Sequence, residues 1–350
     1  MKSGDKKNQN KVRVLIVDDS ATARRAIANV LGKDPAIEVI GFGVNGKEAV
    51  ALTAQLRPHI ITMDIQMPDM DGLEATEQIM AFYPTPVAIV TASLSHKGRD
   101  FVYQALDAGA IEVIQKPALL SDFGPEFPEK IKLLARVPVI THLSGRRKAR
   151  LKMKTIDIPE ITTTDKVIGI VASTGGPDAL RRVLSALPED FPACILIVQH
   201  IGKGFEHDLI GWLRNFCRLP IVQAEHRTSV EKGVIYFAPS GYHTTITNER
   251  IIELNEDPPV WGHKPSGDIL LTSLAAVYKK NAIGVILTGM GRDGANGIQS
   301  ISNAGGVTIA QDEATSLIFG MPKVAIEMQV VNTIAPIDQI AEMIIKELKT

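Results

Sequence analysis

Two hydrophobic patterns alternate along the chain. Short apolar runs that stop at Asp, Ser, Thr or Gly read as strands buried on both faces. Between them, apolar residues recur every three or four positions, as on one face of a helix. In the first third, strands are predicted at 12–17, 37–41, 60–63, 87–90 and 111–114. Helices are predicted near 21–31, 47–55, 73–81 and 100–108. Helix-length spacers between apolar strands mean βα units, and right-handed crossovers then give a five-stranded, doubly wound parallel sheet. Periodicity weakens over 121–160, with one short helix expected at 131–135. It resumes with a strand at 167–172 and a helix carrying Leu180, Val183, Leu184 and Leu187. Further strands are expected at 193–198, 219–222, 233–238, 282–287 and 306–310. Helices are expected at 269–278, 295–304, 322–328 and 338–348, with one more marked by Leu209, Leu213 and Phe216. Residues 243–248 and 250–254 read as a hairpin turning at Asn248-Glu249. The expected fold class is α/β, with two doubly wound parallel-sheet domains, the second larger and carrying a small antiparallel hairpin.

Composition adds boundaries. A chain of 350 residues is long for one core. The expected division is a disordered tail at 1–10, a domain at 11–135, a basic linker at 136–160 and a domain at 161–350. Six basic side chains crowd residues 145–154, yet no aromatic interleaving or helix-turn-helix pattern accompanies them, so a solvated hinge is expected rather than nucleic-acid binding. A formal net charge of −1 gives no global attraction to nucleic acid or anionic lipid. The polar N-terminus has no apolar core for a signal peptide, and no run reaches membrane-spanning length, so no membrane insertion is expected. The two cysteines, Cys194 and Cys217, fit neither a metal spacing nor a disulfide framework. A cytoplasmic protein is expected.

The predicted strand ends of the first domain carry Asp18 and Asp19, Asp64, Thr91 and Lys116. Any one alone is an ordinary turn former or cap. Together they form a set, because three carboxylates at one edge repel one another and call for a cation, and oxygen-only ligands suit Mg²⁺. A carboxylate can then attack phosphorus, with Lys116 and the cation screening the phosphoryl oxygens. The segments VLIVDDS, MDIQMPDMDG, VTAS and VIQKP resemble the receiver domain of two-component response regulators. The resemblance implies a flavodoxin-like fold phosphorylated on Asp64 by a sensor histidine kinase. It also implies Mg²⁺ on Asp18, Asp19, Asp64 and the Gln66 carbonyl, and phosphoryl contacts from Thr91 and Lys116. Val113 stands where many receivers have an aromatic switch residue.

In the second domain, Ser173-Thr174-Gly175-Gly176-Pro177 joins a buried strand to a helix. A hydroxyl there can serve as a nucleophile or merely as a helix N-cap. Strand ends at Gln199-His200 and at Thr288 to Gly294 can bring a base, His200, and a carboxylate, Asp293, to the same edge. Backbone N–H groups near Thr174 and Met290 are available to an oxyanion. No G-x-S-x-G elbow and no dinucleotide-binding glycine pattern is present at this strand.

VIGIVASTGGPDAL, CILIVQH, YFAPSGYH, HKPSGDIL, GVILTGMGRDGANG and TIAQDEATSLIFGMP are very similar to the protein-glutamate methylesterases of bacterial chemotaxis, the CheB family. The resemblance implies a Rossmann-like hydrolytic domain with Ser173 as nucleophile, His200 as general base and Asp293 orienting it. The Met290 amide and the Thr174 loop would support the oxyanion and the nucleophile, with no metal required at this site. His263 to Ser266 would lie in the substrate cleft. This sequence departs from the family pattern at Ile201 to Phe205 and at Gly267. The implied function is phosphorylation-activated hydrolysis of glutamate methyl esters, and deamidation of specific glutamines, on the cytoplasmic helices of chemoreceptors. A phosphorylation-controlled binding regulator without turnover is the alternative. It predicts partner binding that survives loss of Ser173.

Overall fold

The computed structural model describes residues 11–92, 101–119, 122–139 and 165–349. The tail at 1–10 and the basic stretch at 145–154 lie outside the described residues. The chain divides into two compact units, Met1–Arg150 and Leu151–Thr350.

The first unit runs β1 (Val12–Val17), α1 (Ala21–Leu31), β2 (Ile37–Gly43), α2 (Gly46–Leu56), β3 (Ile60–Met63), α3 (Gly72–Phe82), β4 (Val87–Thr91), α4 (Phe101–Asp107), β5 (Glu112–Gln115) and α5 (Glu126–Leu134). Its sheet has the order β2-β1-β3-β4-β5, with every pairing parallel. The order reverses between β1 and β3, and the crevice outside their carboxyl ends is where such sheets bind ligands. The helix starts follow from local chemistry: Ser20, Asn45 and Asp71 each accept an N–H of the first turn of α1, α2 and α3. The short helix expected at 131–135 instead begins at Glu126. Pro128 hid it from the periodicity, but it lies in the first turn, where no N–H partner is lost.

The second unit runs β6 (Val167–Ala172), α6 (Gly176–Ser185), β7 (Cys194–Gln199), α7 (Phe205–Arg214), β8 (Ile221–Gln223), β9 (Ile235–Phe237), β10 (His243–Ile246), β11 (Ile252–Asn255), α8 (Gly267–Tyr278), β12 (Ala282–Ile286), α9 (Ala295–Asn303), β13 (Val307–Gln311), α10 (Met321–Glu327), β14 (Thr333–Ala335) and α11 (Ile337–Leu348). Seven parallel strands order as β14-β13-β12-β6-β7-β9-β8, and β10 and β11 form the antiparallel hairpin. β6, β7 and β12 are wholly buried, as their unbroken apolar runs require. One face packs Val171 against Leu271, Leu274, Ile298 and Met321 of α8, α9 and α10. Helix α6 packs against α7 and α11. From β6 the chain builds outward first through β7, then returns to add β12 on the other side. The end of β6 is therefore the switch point of this sheet, and Ser173 is the next residue.

Candidate active site

Two clusters lie at these two crevices. In the first unit, side-chain oxygens of Asp18, Asp19 and Asp64 come within 4.8 Å of one another. Lys116 Nζ lies 2.7 Å from Asp18 Oδ2 and 2.9 Å from Asp64 Oδ2. The remaining oxygens of Asp18 and Asp64 accept the amides of Ser20 and Ile65, both at 2.9 Å. Burial pushes the Asp64 carboxyl above its ordinary range; the Lys116 charge and hydrogen bond pull against this, and Asp18 adds to the rise. Three carboxylates against one ammonium leave two negative charges uncompensated at a crevice. An oxygen-rich donor set of that charge fits a divalent cation such as Mg²⁺. Thr91 is buried at the end of β4, and its carbonyl accepts the Lys116 amide at 2.8 Å. Gln66 is exposed on the loop after β3.

In the second unit, strand register brings the predicted residues to one edge. Ala172 pairs with Gln199 across β6 and β7, and the His200 amide donates to Ala172 O at 2.9 Å. On the other side, the Ser173 amide donates to Thr288 O at 3.0 Å. Ser173 does not cap α6: that position belongs to Gly175, at φ 78°. Among the described residues the Ser173 hydroxyl has no hydrogen-bond partner, so the capping alternative has no contact behind it.

His200 Nε2 lies 2.7 Å from Asp293 Oδ2, whereas Nδ1 is buried with no hydrogen-bond partner. A buried ring nitrogen left unpaired costs free energy, and such an orphan calls for an explanation. Asp293 sits against the start of α8. Its Oδ1 accepts from Ser266 Oγ at 2.6 Å and the Asp268 amide at 3.1 Å, and its Oδ2 from the Gly267 amide at 2.6 Å. The unpaired N–H groups of a helix start form a ready anion site. Burial alone would raise the Asp293 carboxyl, but the His200 hydrogen bond and charge, with Ser266 and Gly267, hold it down at about 2. Ser266 is itself oriented by His243, a fully buried ring that accepts the Ser266 amide on Nδ1 at 3.2 Å.

Met290 lies in the loop after β12 that also carries Asp293. Among the described residues neither its amide nor that of Thr174 has an acceptor within the protein. Gly289 holds that loop in place: its carbonyl accepts the amides of Gly320 and Met321 at 3.1 and 2.9 Å. A Cβ at 289 would come within 2.7 Å of Ser173 Cβ, so only glycine lets the loop lie this close to the hydroxyl.

Gln199 has a part in the site that the sequence pattern alone does not reveal. Its side-chain amide donates to Ser173 O at 2.8 Å and to His200 O at 2.9 Å, tying the two backbones together. A glutamine ending a fully apolar strand was the available signal, because a buried amide must find partners. Gly176 makes room for it, since a Cβ there would overlap Gln199 Oε1. Gly176→Ala is therefore expected to push the amide off both carbonyls and to lower turnover by about tenfold with the fold retained. Steady-state kinetics beside far-ultraviolet circular dichroism check this; a variant with wild-type turnover would remove Gln199 from the site.

Residues 168–344 match the family described as CheB methylesterase, and residues 14–123 match the response regulator receiver domain. The chain belongs to the CheB methylesterase family. It is a hydrolase of that family with an N-terminal receiver domain. A protein-glutamate methylesterase/protein-glutamine glutaminase of Anaeromyxobacter dehalogenans is 41% identical, over 94% of this chain and 95% of that one. A protein of the same description from Pyrococcus horikoshii is 38% identical, over 97% of this chain and 94% of its own. The crystal structure of the Thermotoga maritima CheB methylesterase catalytic domain aligns at 36% identity and a TM-score of 0.51, covering 52% of this chain and 98% of that domain. The CheB-family fold accounts for both sheets and the hairpin between β9 and α8. Among the described residues no helix is long and apolar enough to cross a membrane.

Proposed function

We propose that this chain hydrolyses glutamate methyl esters on the cytoplasmic helices of chemoreceptors, and deamidates specific glutamines there, with Ser173, His200 and Asp293 as a catalytic triad. The observation that carries the reading is the His200 ring, with one nitrogen held by Asp293 and the other buried and uncommitted beside the end of β6. Nε2 faces the carboxylate, so Nδ1 is the nitrogen that takes the Ser173 proton. This is the reverse of the ring placement in trypsin-like triads, and roles rather than ring positions define a triad. Serine and base in a free enzyme often close their hydrogen bond only around substrate.

The steps follow. Ser173 Oγ attacks the ester carbonyl while its proton passes to His200 Nδ1. The Met290 and Thr174 amides receive the oxyanion. Asp293 keeps the proton on Nε2 and stabilises the imidazolium. Collapse expels methanol, protonated by His200, and leaves an acyl-enzyme. Water, deprotonated by His200, releases the glutamate side chain. A glutamine amide follows the same course, with ammonia leaving. Mass spectrometry of a methylated receptor fragment tests this directly: each turnover removes one CH₂, and an unchanged mass distribution would contradict it.

Asp64 is the proposed phosphoacceptor, supplied by a sensor histidine kinase, and Thr91 and Lys116 contact the phosphoryl oxygens. Asp18, Asp19, Asp64 and the Gln66 carbonyl would hold Mg²⁺, which when bound supplies charge neutralisation for those oxygens. Lys116 opposes the effect of burial on Asp64 and so favours the ionised, nucleophilic form of its carboxylate. Phosphorylation raises hydrolytic activity in this reading, and the protein works in the cytoplasm at chemoreceptor arrays. With Mg²⁺ and a small acyl phosphate, wild-type turnover is expected to rise several-fold, and Asp64→Asn is expected to stay at the basal rate. Equal stimulation of both would separate regulation from Asp64.

A further inference from the structure

His263 lies flat on His200, with ring centroids 3.8 Å apart and planes 1° from parallel. Two aromatic rings left to themselves prefer offset or edge-on contact. Here the backbone imposes the stack. The His263 amide donates to Val260 O at 2.9 Å and the Val260 amide returns to His263 O at 3.1 Å, which fixes residue 263 on a closed two-bond bridge. Three residues later, Ser266 places its hydroxyl on Asp293. One short stretch of chain therefore holds the carboxylate at the tip of the His200 ring and covers the face of that ring.

The two contacts do different work. The hydrogen bond from Nε2 to Asp293 fixes one point on the imidazole but leaves its plane free to tilt. A flat group against one face removes that freedom. It also excludes water from that face, and a π face beside a developing imidazolium is attractive.

We propose that His263 is a positioning residue for the general base: its ring clamps the plane of His200 so that Nδ1 is presented to Ser173. This rests on the triad reading above. His263 acts through its shape and its face, not by exchanging a proton with substrate. An aromatic ring without nitrogens should therefore replace it.

Kinetics of the full-length chain, activated with Mg²⁺ and a small acyl phosphate, test this on a methylated receptor fragment. His263→Ala is expected to lower kcat by on the order of 10²-fold with KM little changed, because a misaligned base costs rate rather than binding. His263→Phe is expected to restore most of the loss. The proposal is overturned by a wild-type kcat in His263→Ala, by His263→Phe as slow as His263→Ala, or by a rise in KM with kcat kept, which would make His263 a substrate contact.

A second readout needs no turnover. In nitrogen-15 spectra of histidine-labelled protein, the His200 Nε2–H should be protected from water in wild type and His263→Phe, and lost to exchange in His263→Ala. Persistence of that signal in His263→Ala would also overturn the clamp. Failure of the triad reading looks different: Ser173→Ala would keep its activity while the imidazole signals behaved as described.

Discussion

Ser173→Ala is expected to lower methylesterase kcat by on the order of 10⁴-fold or more, with stability unchanged. The loss of rate follows from the proposed role of Ser173 as nucleophile, and the unchanged stability follows from the structure. The hydroxyl is not a helix cap, because Gly175 holds that position, and among the described residues it bonds to nothing. Removing it therefore breaks no structural contact. The Ser173 amide and carbonyl, which do hold the turn together through Thr288 and Gln199, are untouched by the change. Residual rate would come from the Met290 and Thr174 amides acting on an ester attacked by water. Turnover of a methylated receptor fragment, with urea unfolding of the same samples, checks both parts. Activity within tenfold of wild type would exclude Ser173 as nucleophile.

Asp293→Asn is expected to lower kcat by about 10⁴-fold and, unlike Ser173→Ala, to destabilise the fold. The carboxylate accepts from His200, Ser266, Gly267 and Asp268. An amide has one acceptor oxygen, and its NH₂ group must face donors wherever it is placed. Either His200 is driven into the wrong tautomer or the start of α8 loses its anchor. The pH dependence has a definite sign. The Asp293 carboxyl is held at about 2, below its ordinary value of 3.8, so the folded state favours the ionised form. That stabilisation, on the order of 2 kcal/mol, is complete above the unfolded value near 4 and is lost as pH falls through about 2. The stability gap between wild type and Asp293→Asn should be widest near neutral pH and shrink progressively in acid. Urea midpoints across that range measure it, and a gap independent of pH would mean that the carboxylate charge is not what α8 holds.

The features legible in the sequence share one property: they are local. βα alternation places Asp18, Asp64, Ser173, His200 and Asp293 at strand ends, and strand ends of a parallel sheet share an edge whatever the packing. Features that depend on packing were hidden. Nothing in HKPSGD announces that Ser266 and the next two amides enclose Asp293, because that requires α8 to point its start at the loop after β12. The His200–His263 stack is equally non-local. β14 went unread because it is three residues long with Ile334 exposed on an edge strand, so no buried run marks it. Pro128 concealed the first turn of α5 because a proline ends a helix anywhere but there.

The measurement closest to the central claim is a rapid acid quench of the activated chain during turnover of a methyl-esterified substrate peptide, followed by peptide mapping. A Ser–His–Asp hydrolase leaves the glutamyl group of the substrate on the peptide that contains Ser173, formed as methanol is released and absent in Ser173→Ala. A burst of methanol stoichiometric with the chain shows that the step after methanol release is the slow one; such a burst with no adduct on that peptide would contradict a Ser173 acyl-enzyme.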